Sequence, residues 1–325
     1  MVENDYMPIQ SLDIEAETKI TFDLYVNLPL NNKYILYRRK GGKLENSKIE
    51  FFNQANVHNF FVQKAEYNEF VKYVARRLKA LIGTENTASN KKVMTAAAKA
   101  ILSSTINQED PAMVKALLTN LNDITSVIIE GALEGTNSYS KTTFRKLSSL
   151  AEKGTDFQKH PVNVTSLSVL IAFGIGYNSE KIISDLAVAS LLHDIGLARL
   201  SAKVIPYAHD VGQLIYKDRE EVYKHPELTL KILSEKGFEV SEMVKAVVLQ
   251  HHEEFNGFGY PFGIRGYALN EFAQILRVAD DLDHLISAGY SGTGNLRIRV
   301  NELFDHLNKR KIIEPSLLIR IRSIL

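Results

Sequence analysis

The chain has 325 residues, 45% of them hydrophobic, and its 39 Lys and Arg nearly balance its 38 Asp and Glu. The balance removes any global charge argument for a nucleic-acid polymer or a membrane surface, and the length suggests two domains. With no cysteine there are no disulfides, no thiolate catalysis and no zinc–thiolate site, so any metal must be held by imidazole and carboxylate.

Met1 to Ile14 mixes acids with apolar residues and lacks a signal-peptide pattern. No apolar run reaches the roughly 20 residues that span a bilayer. A cytoplasmic protein is the expectation. From about Lys19 to Val62 the chain reads as β-rich. Ile20 to Val26 alternates apolar and polar residues, Tyr34 to Tyr37 is a second strand, and Phe60 to Val62 a third. Lys40-Gly41-Gly42-Lys43 is a turn. Tyr67, Phe70, Val71, Val74, Leu78 and Leu81 then recur at helical spacing. His58, alone in this region, reads as a surface or cap residue. The expected division is a small α+β domain over 1–85, connecting helices over 86–147, and a mainly α domain over 148–325.

Gly83 to Asn90 is small, polar and aperiodic, the best linker candidate. Val93 to Ile106 is Ala-rich and helical by propensity. Asp110-Pro111 opens a helix that runs towards Leu133, and Tyr139 to Leu150 is another. His160 is the first metal candidate. Asp156, four residues earlier, shares its helix face. The apolar run Ile182 to Leu192 reads as a buried helix ending in His193-Asp194, a pair that burial disfavours unless something binds it. Ser201 to Lys217 is irregular. His225-Pro226 opens the next helix, and Val240 to Leu249 carries His251-His252 at its end. Asn256 to Pro261 is a glycine-rich loop. Ala273 to Ile286 is an apolar helix carrying Asp280, with Asp281 and Asp283 read as surface acids.

Imidazoles and carboxylates in this number suit a pair of first-row transition metals. Asp194 is the natural bridge, since one carboxylate can reach two ions and His193 can ligate one of them. His160 and Asp280 then complete one shell, and His225, His251 and His252 the other. A hydroxide between the ions is the expected nucleophile, because metal binding brings the pKa of water towards neutrality.

His193-Asp194-Ile195-Gly196, His225-Pro226, His251-His252-Glu253, Gly257 to Pro261 and Val278-Ala279-Asp280 resemble the HD-GYP domain, a group of HD-domain metal-dependent phosphohydrolases. The resemblance covers about Ser148 to Tyr290. It implies an all-helical HD-type domain and a site of two, sometimes three, iron or manganese ions, with iron first. It also implies hydrolysis of cyclic di-GMP to pGpG or GMP. Asp156 sits where three-metal members place a glutamate. Members of this family commonly carry a sensory or regulatory N-terminal domain, and a protein partner is allowed for through that domain or the Gly259-Tyr260-Pro261 loop.

The departures concern substrate. Leu197 stands where the family has a phosphate-binding lysine, and Arg199, two residues on, is the candidate replacement. Asn256 stands where aspartate is usual. Ser287 to Gly292 lacks the arginine of the family's Ser-x-Arg-Pro-Tyr-Lys-like segment. One lost charge-assisted phosphate contact weakens binding by on the order of 2 kcal/mol. Tyr260, Gly259 and Asn256 are the remaining candidate substrate contacts; the other reading of Tyr260 is a ring packed beneath its own turn. Three functions follow: a weakened cyclic di-GMP phosphodiesterase; a metal-binding, noncatalytic sensor or interaction module; or a phosphohydrolase for another nucleotide.

Overall fold

The computed structural model describes residues 5–76, with breaks at 11–13, 29–32, 55–58, 68, 71 and 74–75. It also describes Thr125, Ile129, and residues 160–325 apart from 209 and 288–292. Asp156, His58, the linker expected at 83–90 and the helices expected between 93 and 150 lie outside the described residues. The chain divides into two compact units, Met1–Ile101 and Leu102–Leu325.

The first unit is a four-stranded antiparallel sheet in the order β1-β4-β2-β3. Its strands are β1 (Tyr6–Gln10), β2 (Leu24–Leu28), β3 (Lys33–Arg38) and β4 (Asn59–Gln63), with α1 (Asn46–Gln54) between the last two. Period-2 alternation divides β4: Phe60 and Val62 are fully buried, while Phe61 faces Tyr34 on the other side at 4.9 Å. Phe22, Phe70 and Tyr73 meet edge-on behind the buried face. β2 starts at Leu24 rather than Ile20 because Ile20 exchanges its backbone hydrogen bonds with Gly41 and Gly42, and Asp23 accepts from Lys40 N. β1 was missed by periodicity because it carries Pro8, which its edge position tolerates.

The described residues of the second unit are mainly helical. α2 (His160–Gly174) is buried along most of its length, through Val162, Val164, Leu167, Val169 and Ile171. It packs against α3 (Glu180–Leu192) and α7 (Glu271–Ser287). α3 stops at His193, and a 3-10 turn over Ile195–Arg199 carries the chain across α5 (His225–Glu235). The irregular stretch after Ser201 folds around Val204, Leu214 and Val222, the last in α4 (Tyr216–Val222). α6 (Glu242–Gln250) opens with Ser241, whose hydroxyl accepts from Val244 N. α8 (Thr293–Arg310) and α9 (Pro315–Arg322) close the unit. Glu314 caps α9 by accepting from Ser316 N and Leu317 N. No helix among the described residues is long and apolar enough to cross a membrane.

Candidate metal centre

A helix end leaves backbone carbonyls without an intrahelical donor. Three histidines sit where such carbonyls occur. His193, just past α3, donates from Nδ1 to Ser190 O at 2.8 Å. His225, opening α5, donates to Val222 O at 2.8 Å, and His251, just past α6, donates to Val248 O at 2.6 Å. Each bond places the proton on Nδ1 and turns Nε2 inward. Burial lowers the pKa of His193, and pushes that of His225 down to about 4. Both rings are therefore neutral, with an Nε2 lone pair facing the interior.

These lone pairs converge on oxygens that also offer only lone pairs. His225 Nε2 lies 3.4 Å and His251 Nε2 3.7 Å from Asp194 Oδ1, and the two nitrogens are 3.3 Å apart. Asp194 Oδ2 faces His193 Nε2 at 3.4 Å and His160 Nε2 at 3.8 Å. The two oxygens of Asp194 thus look towards two separate pairs of imidazoles. His193 is 1% exposed, and its Nε2 is buried with no hydrogen-bond partner among the described residues. The Nε2 lone pairs of His193, His225 and His251 and the Asp194 oxygens at this spacing repel, and a cation among them reverses the sign. The residues fit a bound metal. His252 joins Asp194, His225 and His251 as a possible ligand, its pKa driven well down by burial and then by its imidazole neighbours.

The α7 side is built differently. His160 is turned by a side chain: its Nδ1 lies 2.8 Å from Asp283 Oδ2, while Asn163 donates to Asp283 Oδ1 at 2.8 Å. Asp283 is 1% exposed, so its reading as a surface acid is corrected: it faces α2 and holds His160. Burial alone would lower the pKa of His160, but Asp283, Asp280 and Asp194 raise it to about 9. That is the mark of excess negative charge, which a bound cation would neutralise. Asp280 Oδ1 lies 3.4 Å from His160 Nε2 and 3.1 Å from His284 Nε2. Burial works to raise Asp280, yet His284, His160 and His193 hold it well below the usual carboxylate range. Asp283 and His284 escaped sequence reasoning. Their signal was present, since residues 280, 283 and 284 share one face of a helix.

Two glycines let the frame close. A Cβ on Gly196 would collide with His225 O and Thr229 N, and Gly196 N instead donates to Thr229 Oγ1 at 2.9 Å. Thr229 Oγ1 donates in turn to His193 O at 2.9 Å. A Cβ on Gly259 would strike the Glu253–Glu254 backbone. The buried Glu253 carboxylate accepts from Phe262 N at 2.7 Å and Ile264 N at 2.9 Å, tying the loop down. Asn256 is similarly engaged: it donates to Glu254 and Arg310 O, and accepts from Phe258 N. The Tyr260 ring is stacked between Tyr223 at 4.2 Å and His252 at 4.7 Å. Arg199 forms a bidentate ion pair with Glu235 on the exposed side of its turn. Leu197 packs against the apolar cluster of Leu200, Val204 and Leu214.

The profile of the HD domain family matches residues 150–312. Over 119 residues the chain is 30% identical to the cyclic di-GMP phosphodiesterase response regulator RpfG of Xanthomonas campestris, covering 37% of this chain and 30% of that protein. Over 129 residues it is 29% identical to a cyclic di-GMP phosphodiesterase of Thermotoga maritima, covering 40% of this chain and 34% of that one. The chain therefore spans about a third of the length of these relatives. Bd1817, a HDG"Y"P protein from Bdellovibrio bacteriovorus, has a similar fold: TM-score 0.65 and 18% identity over 98% of this chain and 99% of that one.

Proposed function

The chain belongs to the HD-domain family and, within it, to the HD-GYP group, and from that premise we propose that it is a metal-dependent phosphodiesterase acting on cyclic di-GMP, with weakened hold on the substrate phosphates. The observation that carries the reading is the division of Asp194. One oxygen serves His225 and His251, the other His193 and His160. A carboxylate so placed can hold two cations side by side. We assign iron first and manganese second, since imidazole-rich sites with carboxylate accept both.

When bound, the metals supply an activated water and neutralise phosphate charge. The remaining work falls to this chain's own residues. Ser190, Val222 and Val248 carbonyls fix the rings of His193, His225 and His251 so that no proton competes for Nε2. Asp283, itself held by Asn163, orients the His160 ring through Nδ1. Hydrolysis of one phosphodiester gives pGpG, and of the second gives GMP. Residues 148–325 form the catalytic domain in this reading, and 1–85 a regulatory or partner-binding one.

A second reading, a metal-bound sensor or interaction module without turnover, is favoured by Leu197 and Arg199. The first is committed to an apolar cluster and the second to Glu235. One sample separates the two. Protein purified anaerobically is assayed for metal content and for cyclic di-GMP hydrolysis. Two equivalents of metal with pGpG or GMP formed support the enzyme. Two equivalents with nucleotide bound and no product support the sensor. No metal under any loading condition overturns both.

A further inference from the structure

We propose that His284 is a metal ligand, joining His160 and Asp280 on the α7 side of the centre; the inference rests on the metal-dependent reading above. The three ligand atoms lie within 4.8 Å of one another. Asp280 and His284 are four residues apart on α7, so the helix presents both side chains on one face, towards His160 at the start of α2. His284 Nε2 is 3.1 Å and His160 Nε2 3.4 Å from the same oxygen, Asp280 Oδ1.

That oxygen is the second observation. Asp280 is 4% exposed at its side chain, and Oδ1 accepts no hydrogen bond among the described residues despite two imidazole nitrogens so close. The nitrogens approach it off the line a hydrogen bond needs. Two imidazole nitrogens and a carboxylate oxygen gathered within 4.8 Å of one another are the arrangement of ligands around an ion. The rings support it: His160 and His284 lie 4.8 Å apart, tilted by 32°, with both Nε2 atoms turned to the carboxylate.

The consequence is chemical. An extra imidazole makes this position richer in nitrogen than His160 and Asp280 alone would. Imidazole favours iron, zinc or copper over manganese, while carboxylate and water suit manganese. His284 therefore biases this position towards the nitrogen-preferring ions.

The test uses the full chain, its His284→Ala variant and its His284→Gln variant, each loaded anaerobically with Mn(II) or Fe(II). Bound metal is measured at graded free-metal concentration, and crystals are read for anomalous scattering at the metal edge. Wild type should show an anomalous peak about 2.1 Å from His284 Nε2, a metal–imidazole bond length. His284→Ala should lose one equivalent, or weaken one class of site at least tenfold, and leave the other class unchanged. His284→Gln should behave as His284→Ala, since an amide is a poor replacement ligand. Metal affinity unchanged in His284→Ala, full rescue by His284→Gln, or a peak more than 3 Å from Nε2 overturns the proposal while leaving the metal-dependent reading intact. A wild-type chain that binds no metal overturns both.

Discussion

The two sides of the candidate centre orient their side chains by different means. Facing Asp194, His193, His225 and His251 stand at helix termini, and backbone carbonyls set their tautomers. Around Asp280, the residues lie at the start of α2 and in the interior of α7, and a buried side-chain pair, Asp283 with Asn163, does the orienting. The first device cannot be mutated, because every residue has a carbonyl. The second can be removed by one substitution. The contrast predicts an uneven response: only Asp194, which serves both sides, should be indispensable to both.

Asp194→Ala should therefore have the largest effect. It removes the oxygens facing four imidazoles. Metal content should fall from two equivalents to none, and hydrolysis to background, with elemental analysis and product chromatography run on the same preparation. Full loading in that variant would end the bridging role.

Next comes the frame. Gly196→Ala forces a methyl into His225 O and Thr229 N, backbone atoms that cannot swing aside. Overpacking of this kind destabilises by about 3 kcal/mol. Thermal unfolding of metal-free protein should show it as a lowered midpoint. Thr229→Val, which strips Gly196 N and His193 O of their shared partner, should destabilise by about 1–3 kcal/mol. Wild-type midpoints for both would mean that the 3-10 turn does not hold the Asp194 side in place.

The two sides also differed in how well the sequence disclosed them. Candidate ligands at helix ends announce themselves. His193-Asp194 and His251-His252 each end an apolar helical run, where a buried polar group needs a reason, and His225-Pro226 opens the next helix. Gly196 and Gly259 could be marked as special in the same way, though which backbone they clear is a fact of tertiary contact. Asp283 and His284 were obscured by acidic neighbours. A helix with acids at 280, 281 and 283 reads as a solvated face until its packing partner is known, and that partner, α2, lies far off in sequence. Tyr260 was open between two roles. Its stacking on Tyr223 and His252 gives the ring a structural place that spacing could not reveal. In the N-terminal unit, Pro8 hid an edge strand, and the Gly41–Gly42 backbone captured Ile20 from the strand that its alternation implied.

Asp283→Asn sharpens the comparison. It keeps the size of the side chain but weakens the acceptor that holds His160 Nδ1. Loss of such an orienting carboxylate typically lowers metal affinity about 10–100-fold. The loss should fall on the α7 side alone. A chelator competition that resolves two classes of site should show one class weakened and the other at its wild-type affinity. Equal weakening of both would mean that the centre titrates as one unit and that the division at Asp194 has no energetic meaning.

The smallest expected change is the one that restores a cation. Leu197→Lys replaces a side chain packed on Leu200, Val204 and Leu214 with one whose stem can cover the same surface while its ammonium reaches water. Leu197 is only partly buried, so the packing loss is limited. One recovered charge-assisted phosphate contact contributes on the order of 2 kcal/mol at most, and part of that is offset by ordering a flexible chain. A rise of a few-fold in kcat/KM for cyclic di-GMP is expected, carried mainly by KM, since a phosphate contact made in substrate and transition state alike is uniform binding. Arg199 offers the control. Its guanidinium is already committed to Glu235, so Glu235→Gln frees it without touching the centre. If Glu235→Gln raises kcat/KM and Leu197→Lys does not, the phosphate lies on the Arg199 side of the turn, and Leu197 is simply part of the apolar cluster.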